Sequence, residues 1–254
     1  MAGEAKTSAF MLGTATVMLG MPDKLFDLNP EDHSIGLVKN FRITAEPSYT
    51  DLTQGVRNQI VYSVMTGNMV KAAMETYEYT GSNIAYSLGL EGAGFTGQTE
   101  ETNVTTASIA DATDLAVDDE SGFAVGDWVM ISGSTNDRVQ VRKLTAASTG
   151  SLEFAQPLLL PVAAGAVVQK ANAIGVGSKA EQPFLSAKIV GVLADGTEVV
   201  LLCPKVRITN GFSLGFTTEN FDNLPYEFTF YDQVASDPFF TEFAGEQAKL
   251  LTTK

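Results

Sequence analysis

One histidine, one cysteine and one tryptophan are all that 254 residues hold of three side chains that often carry catalysis, metal binding or aromatic recognition. A zinc site needs several nitrogen or sulfur ligands, and His33 and Cys203 together fall short of a set. A single cysteine forms no internal disulfide and fits assembly in a reducing cytosol. Basic residues are scarce as well, 16 against 30 acidic, for a formal net charge of −14. Wrapping nucleic acid takes clustered Lys and Arg, so this balance argues against it. An acidic surface past which DNA slides without sticking is compatible with it. No run of 18 apolar residues exists, so no membrane span is expected. The first residues, MAGEAKTSAFMLG, lack the basic start and long apolar stretch of a secretory signal. The chain is therefore expected to be kept inside a cell or packaged into a particle there. With 44% hydrophobic residues, it can fill one large core or two modest ones.

The chain reads as three parts. In residues 1–98, TATVMLG (14–20) is a strand candidate, followed by a loop rich in Asp, Asn and Pro. LVKNFRITAE (37–46) and IVYSVMTG (60–67) are arms of a long hairpin, with the polar, turn-rich PSYTDLTQGVRNQ (47–59) as its tip. NMVKAAMETYEY (68–79) alternates, with Met69, Lys71, Ala73, Glu75 and Tyr77 on one face and Val70, Ala72, Met74 and Thr76 on the other. Such alternation suits a half-buried sheet. TGSNIAYSLGL (80–90) then reads as a short helix. Thr80 or Ser82 caps its start, Ile84, Ala85 and Leu88 form a stripe, and Gly89 stops it. A helix this short must lie on a sheet to be stable.

Residues 99–178 differ in texture. Five short strand candidates, at 114–118, 127–132, 138–145, 151–155 and 166–171, alternate with Gly-containing and polar turns, as in a small barrel or sandwich. SGFAVGDWVMI (121–131) places Val129 and Ile131 inside. The Gly/Thr/Ser-rich flanks read as linkers. Residues 179–254 return to longer strands. PFLSAKIVGVL (183–193) turns at Asp195-Gly196 into EVVLLCPKVRI (198–208), whose apolar start predicts burial on both faces. PYEFTFYD (225–232) sets Tyr226, Phe228 and Phe230 together. Residues 99–178 are thus expected to be a module inserted into one discontinuous domain, 1–98 with 179–254.

Several motifs have plainer readings. Gly92-Ala-Gly94-Phe-Thr-Gly97 matches GxGxxG, but it follows a helix and leads into linker, whereas a dinucleotide loop follows a strand and opens a helix. His33 reads as a solvated loop residue, and no GxSxG elbow accompanies it. Cys203 reads as a buried small hydrophobe. Asp118-Asp119-Glu120 lacks EF-hand spacing and reads as an acidic turn. Asn103-Val-Thr105 is a glycosylation sequon without a secretory signal. No cofactor or metal site is expected, and no constellation supports an enzyme. Lys205 and Arg207 alternate on one strand and either meet acidic neighbours in an assembly or face solvent. Tyr49 and Leu52 lie at the hairpin tip with no evident intrachain face to join. These four are the candidate subunit-interface residues, and the tip and the chain termini are the candidate ring-to-ring contacts.

The passage VKAAMETYEYTGSNIAYSLG (70–89), the strand pair around ADGT (194–197) and the closing run NGFSLGFTTENFDNLPYEFTFYD (210–232) together resemble the major tail tube proteins of long-tailed bacteriophages. The first carries the pattern T-x-x-N-(I/L)-A-x-x-L-G at Thr80, Asn83, Ile84, Ala85, Leu88 and Gly89. The resemblance spans about two-thirds of the chain and is carried by the order of the motifs. It implies a mainly β, tail-tube-type sandwich with one flanking helix and a long hairpin arm. It also implies hexameric rings stacked into a tube that conducts DNA, assembled in the bacterial cytoplasm with tail-tip, tape-measure and terminator proteins. The insert departs from the minimal pattern and is similar to extra surface domains in that family. The competing readings are a tube of a contractile tail or secretion machine, and a carbohydrate-binding or adhesin-like β protein using Trp128.

Overall fold

A computed structural model describes residues 15–90, 98–133, 139–177, 182–210, 212–213, 215 and 223–253. Gly92–Gly97 lies wholly, and most of the 210–222 run lies, outside them. The protein is mainly β, with two antiparallel sheets. The first unit comprises residues 1–95 and 176–254, and the second 96–175. In chain order the elements are β1 (Ala15–Gly20), α1 (Pro30–His33), β2 (Val38–Gln54), β3 (Gln59–Thr76) and α2 (Gly81–Ser87). The second unit then supplies β4 (Glu101–Asn103), β5 (Asp114–Ala116), β6 (Trp128–Ile131), β7 (Gln140–Ser148), β8 (Ser151–Phe154) and β9 (Val167–Ala171). The chain returns to the first unit with β10 (Leu185–Val192), β11 (Glu198–Asn210), β12 (Leu224–Phe230) and β13 (Lys249–Thr252).

In the first unit the sheet order is β1-β10-β11-β12-β3-β2, with β13 added beside β11. Side chains from β1, β10, β11, β12 and β3 meet in a single core around Tyr226, Phe228 and Phe230. Strands so far apart in the order share one core because the sheet curls. The segment before β2 closes the curl: Ile35 N–H donates to the Val17 carbonyl at 3.1 Å, and Thr76 Oγ1 donates to the Ile35 carbonyl at 3.0 Å. The predicted alternation on β3 is what the sheet uses. Ala72, Met74 and Thr76 are buried, while Lys71, Ala73 and Glu75 are half-exposed.

β11 is covered on both faces, as its apolar start predicts. Leu201 and Cys203 face the main core. Leu202 faces a second cluster with Met18, Leu25, Leu28 and Phe243. Pro204, which has no N–H to donate, lies in this buried strand where the register against β10 shifts between Leu185 and Ala187, opposite Val206 and Cys203. A strand proline belongs at such an irregularity.

α2 lies against this core. Thr80 Oγ1 accepts from Asn83 N–H at 3.1 Å, the capping bond. At the other end Gly89, at φ +72°, closes the helix. Leu90 N–H reaches the Ala85 carbonyl and Gly89 N–H the Tyr86 carbonyl, at 2.9 and 2.8 Å, a Schellman ending. The buried face differs from the expected stripe. Asn83, Ala85, Tyr86 and Ser87 are buried, and Ile84 and Leu88 are half-buried. Polar Asn83 is inside because its amide donates to the Ile35 and Glu78 carbonyls, at 3.0 and 2.8 Å.

The second unit is a small closed barrel. Its strand order is β4-β9-β6-β7-β8-β5, and a bridge between Val104 and Val117 joins the two ends. Closure leaves no bare sheet edge. β7 serves both halves, pairing first with β6 and then with β8 across a bulge after Leu144. β4, three residues long, is a strand absent from the sequence expectation, as is β13 in the first unit. The core is built on alternation, with Val129 and Ile131 buried and Trp128 and Met130 outside.

Candidate subunit interface

β2 and β3 pair from Val38–Thr76 to Gln54–Gln59, with register shifts after Lys39, Ser48 and Leu52. The expected polar tip at 47–59 is therefore mostly strand, and only residues 55–58 turn. Asn58 N–H donates to the Gly55 carbonyl at 3.1 Å, and both residues have positive φ. Pro47 is tolerated because β2 is the edge of its sheet. From Ile43 to the turn the ribbon extends about 40 Å at ~3.3 Å per residue. A ribbon of two strands is marginal by itself.

The ribbon carries exposed apolar side chains on both faces. Residues paired across an antiparallel ladder share a face. Ile43, Tyr49, Met65 and Ile60 take one face, and Leu52, Tyr62, Val64 and Met69 the other. Val56 stands fully exposed at the turn. Tyr49 and Leu52 are 59% and 62% exposed, but they do not act together. Three residues apart on a strand, they point to opposite faces, with Met65 and Tyr62 as their cross-strand neighbours. The expectation that neither joins a strand face is thus corrected. The run IVYSVM (60–65) was the available signal for the rest, since its apolar residues do not alternate with polar ones.

Lys205 and Arg207 are not solvent-facing. Lys205 Nζ lies 2.7 Å from Asp237 Oδ2 and 4.6 Å from the Phe184 ring centroid. The Arg207 guanidinium lies 4.1 Å from the same ring and 5.8 Å from that of Tyr231. Burial alone pushes the Asp237 carboxyl up, but hydrogen bonds from Lys205 and from Val234 N–H outweigh it and hold Asp237 below the usual aspartate range. The pair borders an open cavity of about 290 Å³ lined by Pro22, Asp23, Phe184, Pro204, Gln233 and Pro238.

The remaining motifs have local roles. His33 ends α1, where its Nδ1 accepts from Asn29 N–H at 3.4 Å. It is half-buried rather than a freely solvated loop residue. Cys203 is fully buried, and burial pushes its thiol pKa far up, so the thiolate that would act as a nucleophile is suppressed. Asp119 Oδ1 accepts from Ser121 N–H, which lowers the Asp119 pKa, and Glu120 accepts from Gly150 N–H. Among the described residues no group of three or more His, Cys, Asp or Glu side chains is placed to hold a metal, and no helix is long and apolar enough to cross a membrane. Trp128 is partly exposed on the barrel, with Lys143 Nζ 6.0 Å from its ring centroid. The sequence matches no protein-family model and no curated protein.

Proposed function

We propose that this chain is a tube-forming subunit of a long-tailed bacteriophage tail, polymerising as stacked hexameric rings around a channel for DNA. The observation that carries the proposal is the apolar arm. Both of its faces are bare in the single chain, and exposed apolar surface on this scale marks an interaction site. The edge of β2 is also open to pairing, a liability unless another chain covers it. A closed ring of identical subunits removes such edges. The hexameric count, the DNA channel and the tail-tip, tape-measure and terminator partners come from the resemblance, as does assembly in the host cytoplasm. The net charge of −14 supports a lumen that repels DNA rather than binding it. Within this reading residues 96–175 form a module on the tube exterior.

Negative-stain microscopy of the purified protein at high concentration, or of intact particles, tests the reading. Rings or tubes with an open axial channel are expected. A protein that stays monomeric at every concentration, with its initiating partner present, would refute it. A sheath around the tube would instead assign it to a contractile tail.

A further inference from the structure

β13 is an apolar strand with a partner on one edge. It pairs with β11 from Leu202–Lys249 to Val199–Thr252. Leu250 lies beside Leu201 of the main core, and Leu251 beside Val200, which packs on the second cluster. Paired neighbours share a face, so β13 extends both cores. Its leucines are nevertheless 64% and 49% exposed. The reason is the far edge of β13, where the described residues place no strand. β12 pairs with β3 only from Leu224–Thr76 to Thr229–Lys71. From Val70 back to Gln59, β3 pairs with β2 alone among the described residues. Gln247 Nε2 donates to the Asn68 carbonyl at 3.2 Å where the two parts diverge. An open edge flanked by bare leucines is a template for one more strand. That strand needs apolar side chains on both faces, to cover Leu250 on one and Leu251 on the other.

The chain holds such a segment. Phe10-Met11-Leu12-Gly13 repeats, seven residues earlier and with Phe for Val, the run Val17-Met18-Leu19-Gly20 of β1. In β1 that run is buried on both faces, Val17 and Leu19 in the main core and Met18 in the second cluster. Resting on the reading of the chain as a self-assembling subunit, we propose that residues 8–14 of a second copy add to the open edge of β13 as a strand. Phe10 and Leu12 then cover one face and Met11 the other, with main-chain hydrogen bonds supplying the rest of the contact. Reach assigns the segment to another copy. β1 is the edge strand beyond β10 and β11, so the open side of β13 lies four strand positions from Ala15, about 19 Å along the sheet. Leu12 is three residues from Ala15, about 10 Å of fully extended chain, and Phe10 is five, about 17 Å. The run cannot lie along β13 of its own molecule. Ala15 opposes Gly191, Gly191 opposes Val199, and Val199 opposes Thr252. Donor and acceptor therefore sit at one level of the sheet on different edges, a heterologous contact that joins neighbours side by side and closes as a ring.

Two full-length variants separate the roles. Phe10→Asp spoils the donated strand and keeps the acceptor edge. Leu250→Asp places a carboxylate on the acceptor edge and keeps the donor. Each alone should retain the wild-type melting temperature and raise the concentration at which assembly begins by about tenfold or more, as for loss of an interface anchor, read by light scattering. An equimolar mixture should give a one-to-one dimer in sedimentation velocity and no longer polymer, because one intact donor meets one intact acceptor. A labelled synthetic peptide of residues 7–15 should bind the Phe10→Asp chain saturably in fluorescence anisotropy, and should not bind the chain carrying both substitutions. A lowered melting temperature of dilute, monomeric Phe10→Asp would place the segment on its own chain and overturn the proposal. Wild-type assembly of Phe10→Asp without peptide binding would also overturn it, and both results leave the tube reading standing. A wild-type chain that never assembles would remove both.

Discussion

Replacing Asn83 with alanine should destabilise the first unit while leaving the barrel untouched. Asn83 is, with Ser87, a buried polar residue of α2, and its amide bonds the carbonyls of Ile35 and Glu78. It thereby ties the helix to the segment that closes the sheet and to the chain just after β3. Each bond is worth about 1 kcal/mol net, and an orphaned buried carbonyl costs about 1 kcal/mol more. Ile35 retains the Thr76 hydroxyl, and Glu78 is an exposed residue whose carbonyl can turn to water, so neither carbonyl is left orphaned. Alanine's better helix propensity returns about 0.5 kcal/mol. The sum is a loss of about 1.5 kcal/mol, or a melting temperature lower by roughly 3–6 °C for a unit of this size. The assay is urea and thermal unfolding of the unassembled chain followed by far-UV circular dichroism. The one tryptophan, Trp128, lies in the barrel, so its fluorescence reports the second unit and should show an unchanged transition. A loss below about 0.5 kcal/mol, within the scatter of ordinary surface substitutions, would refute the view that Asn83 holds the closure together.

Four further outcomes are expected. Tyr49→Ala and Leu52→Ala should each leave monomer melting within about 0.5 kcal/mol of wild type and each raise the concentration needed for assembly, measured by light scattering; an effect from only one would show that a single face of the arm is covered. The Asp237 carboxyl is held below its unfolded value of about 3.9, so its contribution to stability is present above that pH and is lost as pH falls through the folded pKa. Asp237→Asn should therefore weaken the chain at neutral pH and flatten the acid limb of the stability profile, read by urea titration from pH 7 downward. Cys203 should resist alkylation in the native chain and react on unfolding, checked by mass after iodoacetamide treatment with and without urea. A fragment spanning 98–177 should melt cooperatively without the rest of the chain, because its barrel closes on itself; a non-cooperative fragment would count against an independent module.

Periodicity and end signals in the sequence were enough for the local architecture. The two-residue alternation of NMVKAAMET and LPYEFTF, the Thr80 cap, the Gly89 stop and the Asp195-Gly196 turn act over a few neighbouring residues, so their readings hold wherever the chain is placed. The composition likewise set the shortage of catalytic side chains. Tertiary structure decided what depends on which segments meet. Pro47, Ser48 and Asp51 look like a turn, yet they are strand because β3 runs beside them and Pro47 lies at a sheet edge. That pairing, and the pleat, put Tyr49 and Leu52 on opposite faces. β4 and β13, at three and four residues, are too short to show a period and exist only through their partners. Lys205 and Arg207 could not be placed without Asp237, Phe184 and Tyr231, which the fold brings from elsewhere in the chain.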